Sequence, residues 1–311
     1  METLSLDQDR YNEGYAILLE KLERRPRFRK WAHEVFPVAI VQKFASDQGD
    51  DDGTFRTLGI GSGNGEFELH LLKQLSTRFP RISHVVIEPS EEYIQAYQTE
   101  VASSSFQGAI HFEWHEGTFQ EYKQKKLEGT SSDGRFDFIN AIHSLYYAEN
   151  ARETVELLYR SLAPGGILMI EMSDDKTSGQ RLFEDFPELQ QMFTLNKWVT
   201  FSDVTGALCN MSIPFSRLTN PIIFDMTEVF DETSREGNLL LDFFTHVSNF
   251  RKTADDGLVQ RVLKFLKMKA EELAVMPLEQ ASLTTGNVGD GKESTGLKFK
   301  KIWETLIIEK R

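Results

Sequence analysis

Cysteine is almost absent from this 311-residue chain. Cys209 stands alone, which excludes an internal disulfide and a cysteine-based zinc cluster. No run of roughly 18 apolar residues occurs, so no membrane span is expected. Positive charge is also short: 35 Lys and Arg stand against 48 Asp and Glu, a net charge of −13. That balance argues against a nucleic-acid partner, because binding a phosphate backbone relies on a positive surface to displace counterions. Of the seven histidines only His111 and His115 share H-x-x-x-H spacing, and they lie along a predicted strand rather than on one helix face, so no metal site is expected. No G-x-S-x-G serine elbow occurs either. The opening stretch Met1 to Asp9 is acidic and has neither the basic nor the apolar region of a signal peptide, which makes the cytoplasm the expected address. One local basic run, Arg24-Arg25-Pro26-Arg27-Phe28-Arg29-Lys30, breaks the acidic trend. It suits a solvated helix junction, a patch for an acidic partner or part of a substrate pocket, and position alone leaves all three open.

What is present begins with glycine. In Thr57-Leu58-Gly59-Ile60-Gly61-Ser62-Gly63-Asn64-Gly65-Glu66 a short apolar run ends in alternating glycines, and the helix-periodic segment from Phe67 to Leu75 follows at once. That order reads as strand, tight turn, helix. Gly61, Gly63 and Gly65 let the backbone take positive φ and let a ligand approach where a Cβ would collide. The dinucleotide fingerprint G-x-G-x-x-G fails in both registers, at Glu66 and at Asn64. A carboxylate at the helix mouth would also repel a pyrophosphate drawn to the positive end of the helix dipole. Downstream, His84-Val85-Val86-Ile87-Glu88-Pro89-Ser90 is a β-branched run ending in an acid, with Pro89 stopping the strand. In doubly wound sheets such an acid accepts hydrogen bonds from ribose hydroxyls; the plainer reading of Glu88 is a solvated carboxylate near a helix start. A glycine loop plus Glu88, without phosphate chemistry, points to S-adenosylmethionine.

With 40% hydrophobic residues and 23 Phe, the chain has material for a substantial core, as one large domain or one domain plus an elaboration. Residues 10–45 hold two predicted helices. From Phe55 strand and helix alternate in the βαβ manner that implies a doubly wound, mostly parallel sheet. Strands are predicted at 55–60, 84–88, 109–114, 136–142 and 166–172, and helices at 65–78, 90–104, about 118–126 and 148–162. Beyond 173 the alternation weakens, leaving strand-like segments near 213–218, 221–225 and 298–308 and helices near 238–248 and 257–271. The segments 48–53, 130–134 and 286–294 read as loops. The expected organisation is a helical cap at 1–50, a cofactor-binding core at 51–175 and a substrate-binding elaboration with the last strands at 176–311.

Chemistry is expected beside the glycine loop, after the fourth strand, in Ile142-His143-Ser144-Leu145-Tyr146-Tyr147. Methyl transfer by in-line displacement mainly asks for alignment of acceptor and methyl group at roughly 3 Å. Aromatic walls provide it and suit a cationic sulfonium, so Tyr146 and Tyr147 are candidates, against a plain packing role. His143, ordinarily near neutral at pH 7, is a candidate proton acceptor, against a structural role. A non-catalytic binding protein on the same fold and an O-methylating enzyme remain the alternatives.

With these residues in view, the chain resembles the histamine N-methyltransferase family. The similar stretches are Leu58 to Glu66, Val86-Ile87-Glu88-Pro89-Ser90, Trp114-His115-Glu116, Phe136-Asp137-Phe138-Ile139, Ser144-Leu145-Tyr146-Tyr147, and Leu240-Leu241-Asp242-Phe243-Phe244 through Asn249-Phe250. The resemblance implies a Rossmann-like class I methyltransferase fold with a seven-stranded sheet and a small substrate-binding lobe. It further implies S-adenosylmethionine as donor, a small-molecule methyl acceptor and a monomeric cytosolic enzyme. Carried over position by position, Gly61, Glu88 and Ile142 are cofactor contacts, while Tyr93 and Phe119 stand where the family has a glutamine and a serine. Tyr11, Tyr146, Tyr147 and Phe243 match the family's acceptor pocket, with Tyr15 a turn from Tyr11. Arg24, with Glu23 adjacent, stands where the family has a glutamate that takes the amine. His143 replaces a pocket glutamine, and Lys301 the asparagine that holds the imidazole. Basic residues at those places imply an acceptor bearing a carboxylate.

Overall fold

The computed structural model describes residues 1–45, 48–49, 53–104, 110–128, 135–175, 178–193, 198–274 and 296–311. The loops expected at 130–134 and 286–294, and part of that at 48–53, lie outside the described residues. Seven strands form one sheet: β1 Phe55–Ile60, β2 Ile82–Glu88, β3 Ile110–Glu116, β4 Phe136–Ile142, β5 Leu162–Ser173, β6 Ser216–Asp225 and β7 Lys298–Glu309. Their order is β3-β2-β1-β4-β5-β7-β6. The pairs β1–β2, β1–β4, β2–β3 and β4–β5 are parallel, as the buried β-branched runs require. The bonds Gly165 N to Lys310 O, Lys310 N to Gly166 O and Asp174 N to Ile302 O run β7 antiparallel to β5. This is the doubly wound layout expected. The order reverses at β1, whose neighbours are β2 and β4, and ligands in such sheets collect at the carboxyl ends of strands around that switch.

The two segments anticipated near 213–218 and 221–225 form a single strand, β6. Pro221 has no N–H to donate and is tolerated there because β6 is an edge. The helices Glu66–Ser76, Glu91–Ser103, Phe119–Glu128 and Ala151–Arg160 fill the predicted crossovers. Ser90 caps the second of these, its Oγ accepting from Tyr93 N at 3.3 Å, and this cap is why the chain turns helical directly after Pro89.

The chain divides into two compact units. One comprises Met1–Arg24, Ser173–Lys197 and Thr219–Trp303; the other comprises Arg25–Met172, Trp198–Leu218 and Glu304–Arg311. These divisions differ from the boundaries at 50 and 175 expected from composition. Residues from Arg25 to Phe44 belong with the sheet because their apolar face is buried there. Phe28, Trp31, Phe36, Ile40 and Phe44 join Phe55, Leu72, Phe138 and Ile307 in one core cluster, with Phe36 and Phe138 rings 5.6 Å apart, edge to face. Burying each such side chain contributes roughly 1.5–3 kcal/mol, more than a polar loop at 48–53 does to define a boundary. The other face of the sheet is covered by a cluster including Leu58, Ile60, Ile87, Ile139, Leu158, Leu168 and Leu208. In the first unit, Leu18, Leu22, Leu240, Leu241, Phe250, Val262 and Trp303 form a separate core. Gly14 lets helix Gln8–Lys21 close on helix Arg235–Thr245: a Cβ there would stand 2.8 Å from Leu239 O.

Candidate active site

β1 ends where Gly61 and Ser62 donate their N–H groups to Ile87 O at 2.8 and 3.2 Å, so the glycine turn is bound to the end of β2. Gly63 and Gly65 both take left-handed backbone, with φ of 57° and 74°, a conformation costly to any residue with a Cβ. Their surroundings differ. A Cβ on Gly65 would lie 2.1 Å from the Tyr97 ring, whereas one on Gly63 would have nothing within 4 Å. Gly65 is needed for packing, then, and Gly63 presents bare backbone to open space. Glu66 follows as the first residue of the helix, placing an acid at its mouth, and pairs with Arg25 at 2.9 Å.

Glu88, at the tip of β2, is 7% exposed, so it is not a solvated carboxylate. Its Oε2 accepts from Gly63 N at 2.8 Å and its Oε1 from Ser90 N at 3.0 Å. Each carboxylate oxygen accepts two bonds, which leaves further acceptor capacity beside the open face of the loop. Ile142 ends β4, half-buried. Phe119 opens helix Phe119–Glu128 and is buried in the cluster that holds Ile60 and Ile87. Tyr93 is exposed on the helix that follows Glu88. All four sit at the carboxyl ends of strands or in the first turn of the helix that follows one.

After β4 the chain enters left-handed backbone at His143, φ 52°. Its N–H donates to Glu171 O at 2.8 Å. Its ring lies 12° from parallel with that of Tyr146, and Nδ1 is 3.1 Å from the Tyr146 hydroxyl. Nε2 lies 3.3 Å from Glu171 Oε1. Tyr146 also approaches Trp198, as does Tyr147, whose ring centroid is 4.9 Å from the indole. Tyr146 is half-buried and Tyr147 exposed. The three expected residues are thus brought together, with Trp198 and Glu171 added.

In the other unit, Tyr11, Tyr15 and Phe243 form a ring cluster with centroids 5.4–6.2 Å apart. Arg24 donates to the Tyr15 hydroxyl at 3.4 Å, which ties its guanidinium to this cluster, while the neighbouring Glu23 is exposed. Lys301 is in the same unit. Burial, then repulsion from Arg24, pushes its pKa down to about 8.

Sequence reasoning missed a buried polar network behind the glycine turn. Glu68 Oε2 is 3.2 Å from both His84 Nε2 and the Tyr97 hydroxyl, and His84 Nδ1 is 2.8 Å from Thr57 Oγ1. Burial and the Glu68 carboxylate hold the Tyr97 proton well above its ordinary range, so the phenol donates. Gly59 leaves room for the Glu68 carboxylate, since a Cβ there would stand 1.7 Å from Glu68 Oε1. The available signal was Glu68 itself, an acid on the apolar face of a helix.

A methyltransferase-domain family model matches residues 20–210. Histamine N-methyltransferase of Xenopus tropicalis is 30% identical over 269 residues, 86% of this chain and 90% of that protein. The chain belongs to the histamine N-methyltransferase family. The Danio rerio histamine N-methyltransferase is 28% identical with the same coverages. Among solved structures, an arsenic(III) methyltransferase from Chlamydomonas reinhardtii is 12% identical, covers 91% of this chain and 73% of its own, and has a TM-score of 0.46. This member of the family is an S-adenosylmethionine-dependent methyltransferase with the class I fold. The residues fit that donor: side-chain-free backbone at Gly63 with space before it, a buried acid with acceptor capacity at Glu88, and an acid, Glu66, rather than a phosphate-binding residue at the start of the helix. Among the described residues no helix is long and apolar enough to cross a membrane, and no cluster of three or more candidate metal ligands occurs.

Proposed function

We propose that this methyltransferase methylates a nitrogen of a small molecule that also carries a carboxylate. The observation that carries the reading is the pair of cations in the Tyr15 and Phe243 unit. Arg24 is hydrogen-bonded to Tyr15, and burial, then repulsion from Arg24, lowers the Lys301 pKa to about 8. An ammonium would be repelled by these groups. A carboxylate would gain charge-assisted bonds contributing about 1.5–3 kcal/mol each. Tyr11, Tyr15 and Phe243 supply flat apolar surface for the acceptor's ring or chain.

In this reading Gly61, Gly63, Glu88, Tyr93, Phe119 and Ile142 hold the donor, and Gly65 serves it by letting the turn pack on Tyr97. Glu88 takes the ribose hydroxyls, and Tyr93 and Phe119 contribute ring packing in place of polar contacts. His143, Tyr146 and Tyr147 align the acceptor nitrogen, and His143 takes up its proton. When bound, the donor supplies an activated methyl group, so the residues need mainly to orient, desolvate and deprotonate. The enzyme acts as a monomer in the cytoplasm and has no nucleic-acid partner, in keeping with its charge of −13.

Formation of S-adenosylhomocysteine, followed with histamine and with histidine at equal concentration, tests the acceptor class. Histidine or another carboxylated amine should be methylated at least tenfold more efficiently, and Arg24→Ala should erase that preference. Efficient turnover of histamine, unchanged in Arg24→Ala, would refute the anionic acceptor.

A further inference from the structure

Glu171 lies within the apolar run Ile167-Leu168-Met169-Ile170-Glu171-Met172, in a strand flanked on both sides by others, and is 3% exposed. A carboxylate in such a place is costly unless partnered. The parallel register sets Glu171 beside Ile142 at the end of the neighbouring strand, so the residue that follows, His143, meets it twice. The His143 N–H donates to the Glu171 carbonyl at 2.8 Å, and the ring Nε2 is 3.3 Å from Oε1, a charge contact rather than an aligned hydrogen bond. The other oxygen, Oε2, is 3.4 Å from Thr305 Oγ1. His143 holds a left-handed backbone at φ 52°, a conformation that persists where surrounding contacts over-determine it. On its far side the imidazole meets the Tyr146 hydroxyl at Nδ1, 3.1 Å away.

We propose that Glu171 is the positioning residue of a Glu171–His143–Tyr146 proton relay. Its carboxylate charge, 3.3 Å from Nε2, keeps the imidazole proton on that nitrogen, so that Nδ1 is bare toward Tyr146, and stabilises the imidazolium formed during turnover. This rests on the N-methylation reading above. As the acceptor nitrogen bonds to the methyl carbon and the carbon–sulfur bond breaks, the sulfonium becomes neutral S-adenosylhomocysteine and the nitrogen becomes cationic. The surplus proton leaves the nitrogen for the Tyr146 oxygen while the phenol's own proton passes to His143 Nδ1. Water later removes it. A neighbour that fixes the imidazole tautomer in this manner acts through the histidine and touches neither donor nor acceptor.

The test uses the full-length enzyme with its histidines labelled with nitrogen-15, a His143→Asn spectrum assigning the His143 signals. The wild type should show Nε2 protonated and Nδ1 bare, and Glu171→Gln should show a mixture of tautomers. With histamine and histidine as acceptors, Glu171→Gln should lower kcat by about 10²-fold, the scale of general acid–base assistance. KM, S-adenosylhomocysteine affinity and Tm should stay near wild type. The double variant Glu171→Gln/His143→Asn should be no slower than His143→Asn alone, because groups acting as one unit are not additive. A wild-type proton on Nδ1, a tautomer indifferent to Glu171, or fully additive losses would overturn the relay. If neither acceptor is turned over, the methyl-acceptor reading fails, and the tautomer measurement still decides the pairing.

Discussion

Replacing Gly65 and Gly63 separately by alanine should part structure from ligand binding within one turn. At Gly65, alanine meets two penalties: a left-handed φ of 74° and a Cβ 2.1 Å from a Tyr97 ring that is itself fully buried. The backbone term is about 1–2 kcal/mol, and displacing a packed ring adds roughly 1–3 kcal/mol. Gly65→Ala should therefore lose about 2–5 kcal/mol, lowering Tm by about 10 °C. At Gly63 only the backbone term of about 1–2 kcal/mol applies, since a Cβ there touches nothing. Its methyl group would instead stand in the space proposed for the donor, and S-adenosylmethionine affinity should fall at least about tenfold, or 1.4 kcal/mol. Urea unfolding gives the stabilities and titration calorimetry the affinities. A Gly65→Ala protein as stable as wild type, or a Gly63→Ala protein that binds the donor normally, would refute this division of labour.

Two predictions concern pH. Burial lowers His246 to about 4, among the Phe183 and Phe243 rings. Its folded pKa lies below the unfolded 6.5, so the unfolded chain takes the proton first, and stability is lost as pH falls from about 6.5 toward 4. Between pH 7 and pH 5 the loss should be about 2 kcal/mol in urea unfolding, and His246→Asn, which tolerates the left-handed φ of 53°, should flatten it. Lys301, lowered to about 8, is charged below that pH and neutral above it; KM for a carboxylated acceptor should rise as pH passes 8, and Lys301→Met should show a high KM that no longer depends on pH there. A KM that rises identically in Lys301→Met would remove Lys301 from acceptor binding.

Much of the sheet was legible because its central strands are buried on both faces and so read as apolar runs between turns: β1 and β4 begin and end where the residues indicate, and β2 and β5 differ by a few residues at their ends, as does the edge strand β3, of which only Ile110 is buried. The glycine turn and Glu88 were legible for the same reason, since chemistry at a strand tip interrupts an apolar run. Pairs made by register were not. Glu171 and His143 meet only because β4 and β5 align Ile142 with Glu171, and His84 meets Glu68 across a strand and a helix; periodicity along one segment carries no record of its neighbour. The division after Arg24 was hidden as well, because the basic run Arg24 to Lys30 masks the apolar face of Phe28, Trp31 and Ala32.

The most direct measurement is titration calorimetry of S-adenosylmethionine and NADH against wild type and Glu88→Gln. The wild type should bind S-adenosylmethionine and not NADH. Removing the Glu88 charge should weaken donor binding by about 10- to 100-fold, the scale of one or two charge-assisted bonds. Tight NADH binding without the methyl donor, or unchanged donor affinity in Glu88→Gln, would contradict a nucleoside held by its sugar at the tip of β2.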